Sequence, residues 1–162
     1  MGNMIKVGMA DLKVCTAPNA LTTLGLGSCV GVCLYDSATK VAGMLHVMLP
    51  DSTQISRESN RAKFADTGIE DMIEQMKALG ANVGRMTAKI AGGAQMFAFN
   101  ASVGDLMRIG DRNVQAVKDK LKALGISIIA EDTGLNYGRT IEFSAETGEL
   151  LVKSVGKENK VF

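Results

Sequence analysis

The chain is expected to fold as an α+β protein, with mixed, largely antiparallel β-sheets in a sandwich covered by two main helices. Three observations predict this. The first third consists of short apolar, partly β-branched segments; two later segments repeat apolar residues at steps of three and four; strand-like segments then resume. Connectors of hairpin length between the strands argue against a doubly wound parallel sheet.

Residues 5–15 read as short, mixed strand. The runs "VGVCLY" (residues 30–35) and "VAGMLHVML" (residues 41–49), joined by the polar "DSATK", predict a hairpin ending at Pro50. From Ser59, a candidate N-cap, Ala62, Ala65, Ile69, Met72, Met76 and Leu79 mark one face of a helix that Gly80 closes. "RMTAKIA" (residues 85–91) alternates and runs into Gly92-Gly93, a strand entering a tight turn. Asp111 as N-cap, then Val114, Val117, Leu121 and Leu124, define a second helix, with Lys118, Lys120 and Lys122 near its negative end and Gly125 after it. "ISIIAE" follows as a strand. "RTIEFSAETG" and "ELLVKSV" predict a hairpin turning at Gly148, and residues 156–162 read as a frayed tail.

One domain spanning residues 1–162 fits the length, with no repeat, linker or low-complexity segment. Hydrophobic residues at 46% and charged residues at 22% are ordinary globular values, which excludes a disordered or fibrous chain. A net charge of +1 offers no broad basic surface, so nucleic acid is not an expected partner. Charges interrupt the apolar residues of the N-terminus, and no run reaches the ~20 apolar residues that span a bilayer. No membrane insertion is expected, and the location expected is cytoplasmic. Three cysteines without a Cys-x-x-Cys pair fit free thiols in a reducing compartment.

Chemistry centres on "TTLGLGSCVGVCLYD" (residues 22–36), where Cys29 follows Gly27 and Ser28. His46 is the only histidine, and it lies in the strand expected to return beside Cys29, so any Cys-His chemistry must use it. A four-residue loop over residues 36–39 places Cys29 opposite His46, whereas a five-residue loop places His46 opposite Val30, on the other face. The sequence leaves both registers open. Where the side chains meet, imidazole takes the thiol proton, and main-chain N–H groups near Cys29 are candidate oxyanion donors. A third group should orient the imidazole; Thr22 and Thr23 are both candidates. Cys15 and Cys33 read as packing residues. A metal site is disfavoured: Cys29 and Cys33 are about 13 Å apart at ~3.3 Å per strand residue, too far for two ~2.3 Å zinc bonds. "EDTGLNYGRT" reads as a solvated loop despite its carboxylates and Arg139, and "AGGAQMF" lacks the lysine of a phosphate loop.

The ordered segments "TLGLGSCVGVCLYD", "GMLHVMLPDS", "NRAKFADTGI", "AKIAGGAQMF", "IGDRNV" and "AEDTG" resemble the CheD family, the chemoreceptor glutamine deamidases of bacterial chemotaxis. The likeness covers nearly the whole chain. It implies a fold shared with the cytotoxic necrotizing factor toxins and hydrolysis of receptor glutamine side chains to glutamate through a thioester. It also implies catalysis by Cys29 as nucleophile, His46 as base and Thr23 as the third member, without cofactor or metal. The partners implied are receptor cytoplasmic domains and the phosphatase CheC, whose binding competes with receptor. Two other readings are a non-catalytic adaptor on the same fold and a different Cys-His hydrolase. After "EDTG" this chain carries Leu135 where relatives commonly have a second glycine.

Overall fold

A computed structural model describes residues 2–50, 60–95 and 109–162. The strands are β1 (Met4–Lys6), β2 (Leu12–Thr16), β3 (Ala20–Leu26), β4 (Val30–Asp36), β5 (Val41–Val47), β6 (Met86–Gly92), β7 (Ser127–Thr133), β8 (Arg139–Ser144), β9 (Leu150–Lys153) and β10 (Lys160–Val161). Helix α1 (Ala65–Ala78) precedes β6, and α2 (Ile109–Ala123) precedes β7. Among the described residues these strands form two sheets, ordered β1-β3-β8-β9-β10 and β2-β5-β4-β6-β7. Only β1 with β3 and β6 with β7 pair in parallel, so the expected α+β class with mixed, largely antiparallel sheets is found.

The β4-containing sheet is the middle layer. Val30, Val32, Leu34, Leu45 and Val47 meet Ile69, Met72, Met76, Val117 and Leu121 of the helices. On its other side Cys33, Ala42 and Met44 join Leu21, Leu26, Ile141 and Phe143 of the first sheet. Burial on both faces explains why β4 and β5 are continuous apolar runs rather than alternations. In the outer sheet, β8 and β9 alternate buried with half-buried residues.

Several boundaries differ from those expected. Ser59 lies outside the described residues; α1 starts at Ala65, after a 3-10 turn (Arg61–Lys63) whose cap, Asn60, accepts the Ala62 N–H at 3.1 Å. Gly68 and Ile73 share its buried face with Ala65, Ile69, Met72 and Met76, while Leu79 is exposed. In α2 the helix already includes Ile109, which puts Asp111 in the first turn rather than at the N-cap. Its buried stripe is Gly110, Asn113, Val117 and Leu121, leaving Val114 half-buried and Leu124 exposed.

Strand β3 is one that the sequence pattern does not single out. The tail, expected to fray, instead adds β10 to the sheet edge: Phe162 and Leu150 exchange main-chain hydrogen bonds of 2.9 and 3.0 Å, and Lys89 Nζ donates to the Phe162 carbonyl at 2.8 Å. The β8–β9 hairpin and the positive φ of +77° at Gly148 are as expected. Among the described residues no helix is long and apolar enough to cross a membrane.

Candidate active site

In the β4–β5 hairpin Asp36 pairs with Val41 and Gly31 with His46, which is neither expected register. The connector is residues 37–40, because Asp36 belongs to the strand. Its carboxylate is buried and accepts hydrogen bonds from Arg85 Nη2 (2.8 Å) and Nε (3.0 Å) and from the main-chain N–H groups of Asn82 (2.9 Å) and Ala38 (3.0 Å). The observed register is displaced by two residues from the one that set Cys29 opposite His46, and an even displacement leaves the facing unchanged. Gly31 and Cys33 therefore share a face with His46, toward the first sheet, and Cys29, which immediately precedes β4, packs against the core on that side.

Strand β3 supplies the next group from the opposite sheet. Leu21 and Thr23 point inward, whereas the Thr22 hydroxyl donates to the Ile141 carbonyl at 2.8 Å. Thr23 Oγ1 lies 2.7 Å from His46 Nδ1 and donates its single proton to the Val7 carbonyl, also at 2.7 Å. With that proton committed, the contact with His46 is Nδ1–H donating to the hydroxyl oxygen. The imidazole is thereby held in the tautomer whose lone pair sits on Nε2. That nitrogen is buried and, among the described residues, has no hydrogen-bond partner.

The Cys29 backbone is held by the β6 exit. Gly93 N donates to the Cys29 carbonyl at 2.8 Å, and Ala94 N to the Gly27 carbonyl at 2.8 Å. Gly92 and Gly93 have φ of +109° and +66°, and a Cβ on Gly92 would collide with the Cys29 carbonyl oxygen. The glycine pair thus serves a close main-chain approach to Cys29.

Burial sets the charge state. It pushes the Cys29 thiol pKa up, against a smaller opposing effect from the residue's own main-chain N–H, and it pulls His46 below the ordinary histidine value. Both effects favour a resting pair of neutral thiol and neutral imidazole. Cys15 is pushed up to about 11 and Cys33 further still; both are buried, as their packing role required, whereas Cys29 is half-buried. Among the described residues no group of three or more His, Cys, Asp or Glu side chains is placed to hold a metal ion.

Sequence reading misplaces one polar residue and passes over another. Arg139, expected in a solvated loop, is 2% exposed: its guanidinium lies 3.3 Å from Asp132 Oδ1, donates to the Gly134 carbonyl at 3.1 Å and stacks 4.5 Å from the Tyr137 ring. Leu135 in the same loop has φ of +60°, a conformation that favours glycine. Asn113, a residue of "IGDRNV" to which the sequence reading gives no role, is fully buried and donates to the Ser28 and Met48 carbonyls. An amide on the apolar stripe of α2 is the signal that could have found it.

A family model described as CheD chemotactic sensory transduction matches residues 48–154. The chain is 62% identical over 160 residues to the probable chemoreceptor glutamine deamidase CheD of Lachnoclostridium phytofermentans, covering 99% of both chains. It is 60% identical over 153 residues to the protein of the same name from Caldanaerobacter subterraneus subsp. tengcongensis, covering 94% of each. With the chemoreceptor glutamine deamidase CheD of Halalkalibacterium halodurans it shares 55% identity over 161 residues and 99% of each chain. By the family model and by these near full-length identities, the chain belongs to the CheD family.

Proposed function

We propose that this chain is a protein-glutamine deamidase that hydrolyses glutamine side chains of chemotaxis receptors to glutamate. Cys29 is the nucleophile, His46 the general base and acid, and Thr23 the group that orients the imidazole. The supporting observation is the ordered chain Val7 carbonyl, Thr23 hydroxyl, His46 Nδ1, which leaves a free Nε2 lone pair on the face that Cys29 shares. The relatives' names supply the substrate class.

The reaction follows from the neutral pair. As sulfur attacks the carboxamide carbon, Nε2 takes the thiol proton, and the tetrahedral oxyanion forms beside the Cys29 main-chain N–H. The imidazolium then gives its proton to the departing nitrogen, releasing ammonia and leaving a thioester. Water, deprotonated by Nε2, attacks the thioester; glutamate leaves and the thiol regains its proton. The Nδ1–H remains on Thr23 throughout, so each proton enters and leaves by one nitrogen.

The substrate lies in receptor cytoplasmic domains, which puts the work in the cytoplasm. The paired sheets and helices suit the cytotoxic necrotizing factor type of cysteine hydrolase, and CheC would compete with receptor for the chain. Ammonia release from a purified receptor cytoplasmic fragment tests the reading. Cys29→Ala should lower it by at least ~10³-fold, as removal of a catalytic nucleophile does. Equal release from both proteins would remove Cys29 from the chemistry.

A further inference from the structure

Resting on that reading, we propose that Asn113 is a positioning residue, which sets the separation of Cys29 and His46 by clamping together the two backbone segments that carry them. Its Nδ2 donates to the Ser28 carbonyl at 3.0 Å and to the Met48 carbonyl at 2.9 Å. Ser28 immediately precedes Cys29, and Met48 follows His46 by two residues. Both amide protons are therefore spent on the two chain segments that the deamidation reaction must align.

The need for a clamp arises from the hairpin itself. Its last ladder pair at this end is Val30 with Val47. Beyond it the strands part: the Met48 and Leu49 N–H groups both turn to the Lys63 carbonyl, at 2.9 and 3.0 Å. The Cys29 carbonyl in turn accepts from Gly93, the residue that follows β6. Among the described residues the β4–β5 ladder thus has no pair beyond Val30 and Val47, where the nucleophile sits, and Asn113 spans the gap from outside the sheet.

The residue type supports a specific task. Asn113 is 0% exposed on the stripe made with Gly110, Val117 and Leu121, where an apolar side chain would ordinarily pack. Its Oδ1 is buried and has no hydrogen-bond partner among the described residues. An amide at such a place is costly unless its donors are required. Among the described residues, no other side chain joins the Ser28 and Met48 carbonyls.

The test uses the full chain and three substitutions: Asn113→Asp, which replaces donors with acceptors; Asn113→Leu, similar in size and apolar; and Asn113→Ser, which leaves room for water to bridge the carbonyls. Circular dichroism first identifies the folded variants. In these, kcat for ammonia release should fall by about 10- to 100-fold with KM for the receptor fragment within about twofold, the signature of misaligned reacting groups. Asn113→Ser should lose least.

Iodoacetamide labelling of Cys29 supplies a readout that needs no substrate. Its pH profile in Asn113→Asp and Asn113→Leu should move from that of wild type to that of His46→Ala. A folded variant that keeps wild-type kcat and labelling profile overturns the clamp. Loss of fold in all three variants overturns it too, by assigning Asn113 to stability alone. Ammonia release that survives Cys29→Ala, with wild-type and His46→Ala labelling distinct and the Asn113 variants matching His46→Ala, would instead sink the deamidase chemistry and leave the clamp standing. If wild type and His46→Ala label identically, there is no Cys29–His46 pairing for Asn113 to set.

Discussion

At the scale of single residues, solvent exclusion tunes the imidazole proposed as the base. His46 is 1% exposed, its Nδ1 faces a neutral hydroxyl, and burial lowers its pKa. In the proposed reaction the active form is the neutral imidazole, whose population falls once the pH drops below that pKa. Because the pKa sits under the ordinary value of about 6.5, activity should persist into more acid solution than an exposed histidine allows. The acid limb of kcat/KM for ammonia release should therefore have its midpoint below that value; a midpoint at or above it would contradict the buried neutral base. Thr23 shows where sequence reading stops at this scale. Adjacent threonines have the same chemistry, and only strand parity separates them, with Thr23 turned inward to His46 and Thr22 bonded to the Ile141 carbonyl. Val7 contributes through its carbonyl, an atom every residue owns, so no pattern of side chains could reveal it.

At the scale of the element, the β4–β5 hairpin was legible and its register was not. A polar aspartate next to "SATK" reads as the start of a connector. It is strand because Arg85, forty-nine positions along the chain, supplies a guanidinium at 2.8 Å. Burial pushes the Asp36 carboxyl up, but the Arg85 guanidinium and the N–H groups of Asn82 and Ala38 more than offset it and hold the pKa at about 2. The charged form thus stabilises the fold above the ordinary carboxylate range, and that contribution is lost progressively as the pH falls from that range down through about 2. Asp36→Asn keeps the shape and removes the charge, and should cost about 2 kcal/mol at neutral pH by urea unfolding. A cost under about 0.5 kcal/mol would show that the carboxylate is not what anchors the strand end. The tail carries a related lesson. "GKENKVF" has the composition of a fraying end, yet Lys160 and Val161 pair with Val152 and Leu151 because an open sheet edge is there to receive them.

At the scale of the whole molecule, the candidate site is assembled across two sheets, since β3 brings Thr23 from one while β5 and the approach to β4 bring His46 and Cys29 from the other. Packing in the shared apolar core holds the layers face to face, and one buried cation adds a directional tie. Arg139 begins β8 in the outer sheet and reaches Asp132 of β7 and the carbonyl of Gly92 at the end of β6, both in the middle sheet. Gly92 adjoins Gly93, whose N–H holds the Cys29 carbonyl. A buried ion pair is poor evidence for net stability, because desolvating both charges cancels much of their attraction; breaking one is nevertheless costly, because the survivor stays buried alone. Arg139→Met should therefore destabilise the fold by about 3–5 kcal/mol, with Asp132 left beside Lys160 at 3.6 Å as its remaining cation. Adding Asp132→Leu removes the stranded carboxylate and should restore a large part of that loss. Urea unfolding of the two single variants and the double variant gives the coupling between them. Additive losses would mean that the two charges do not act as a pair, and the tie between the sheets would then rest on the main-chain bonds of the guanidinium and its stacking on Tyr137.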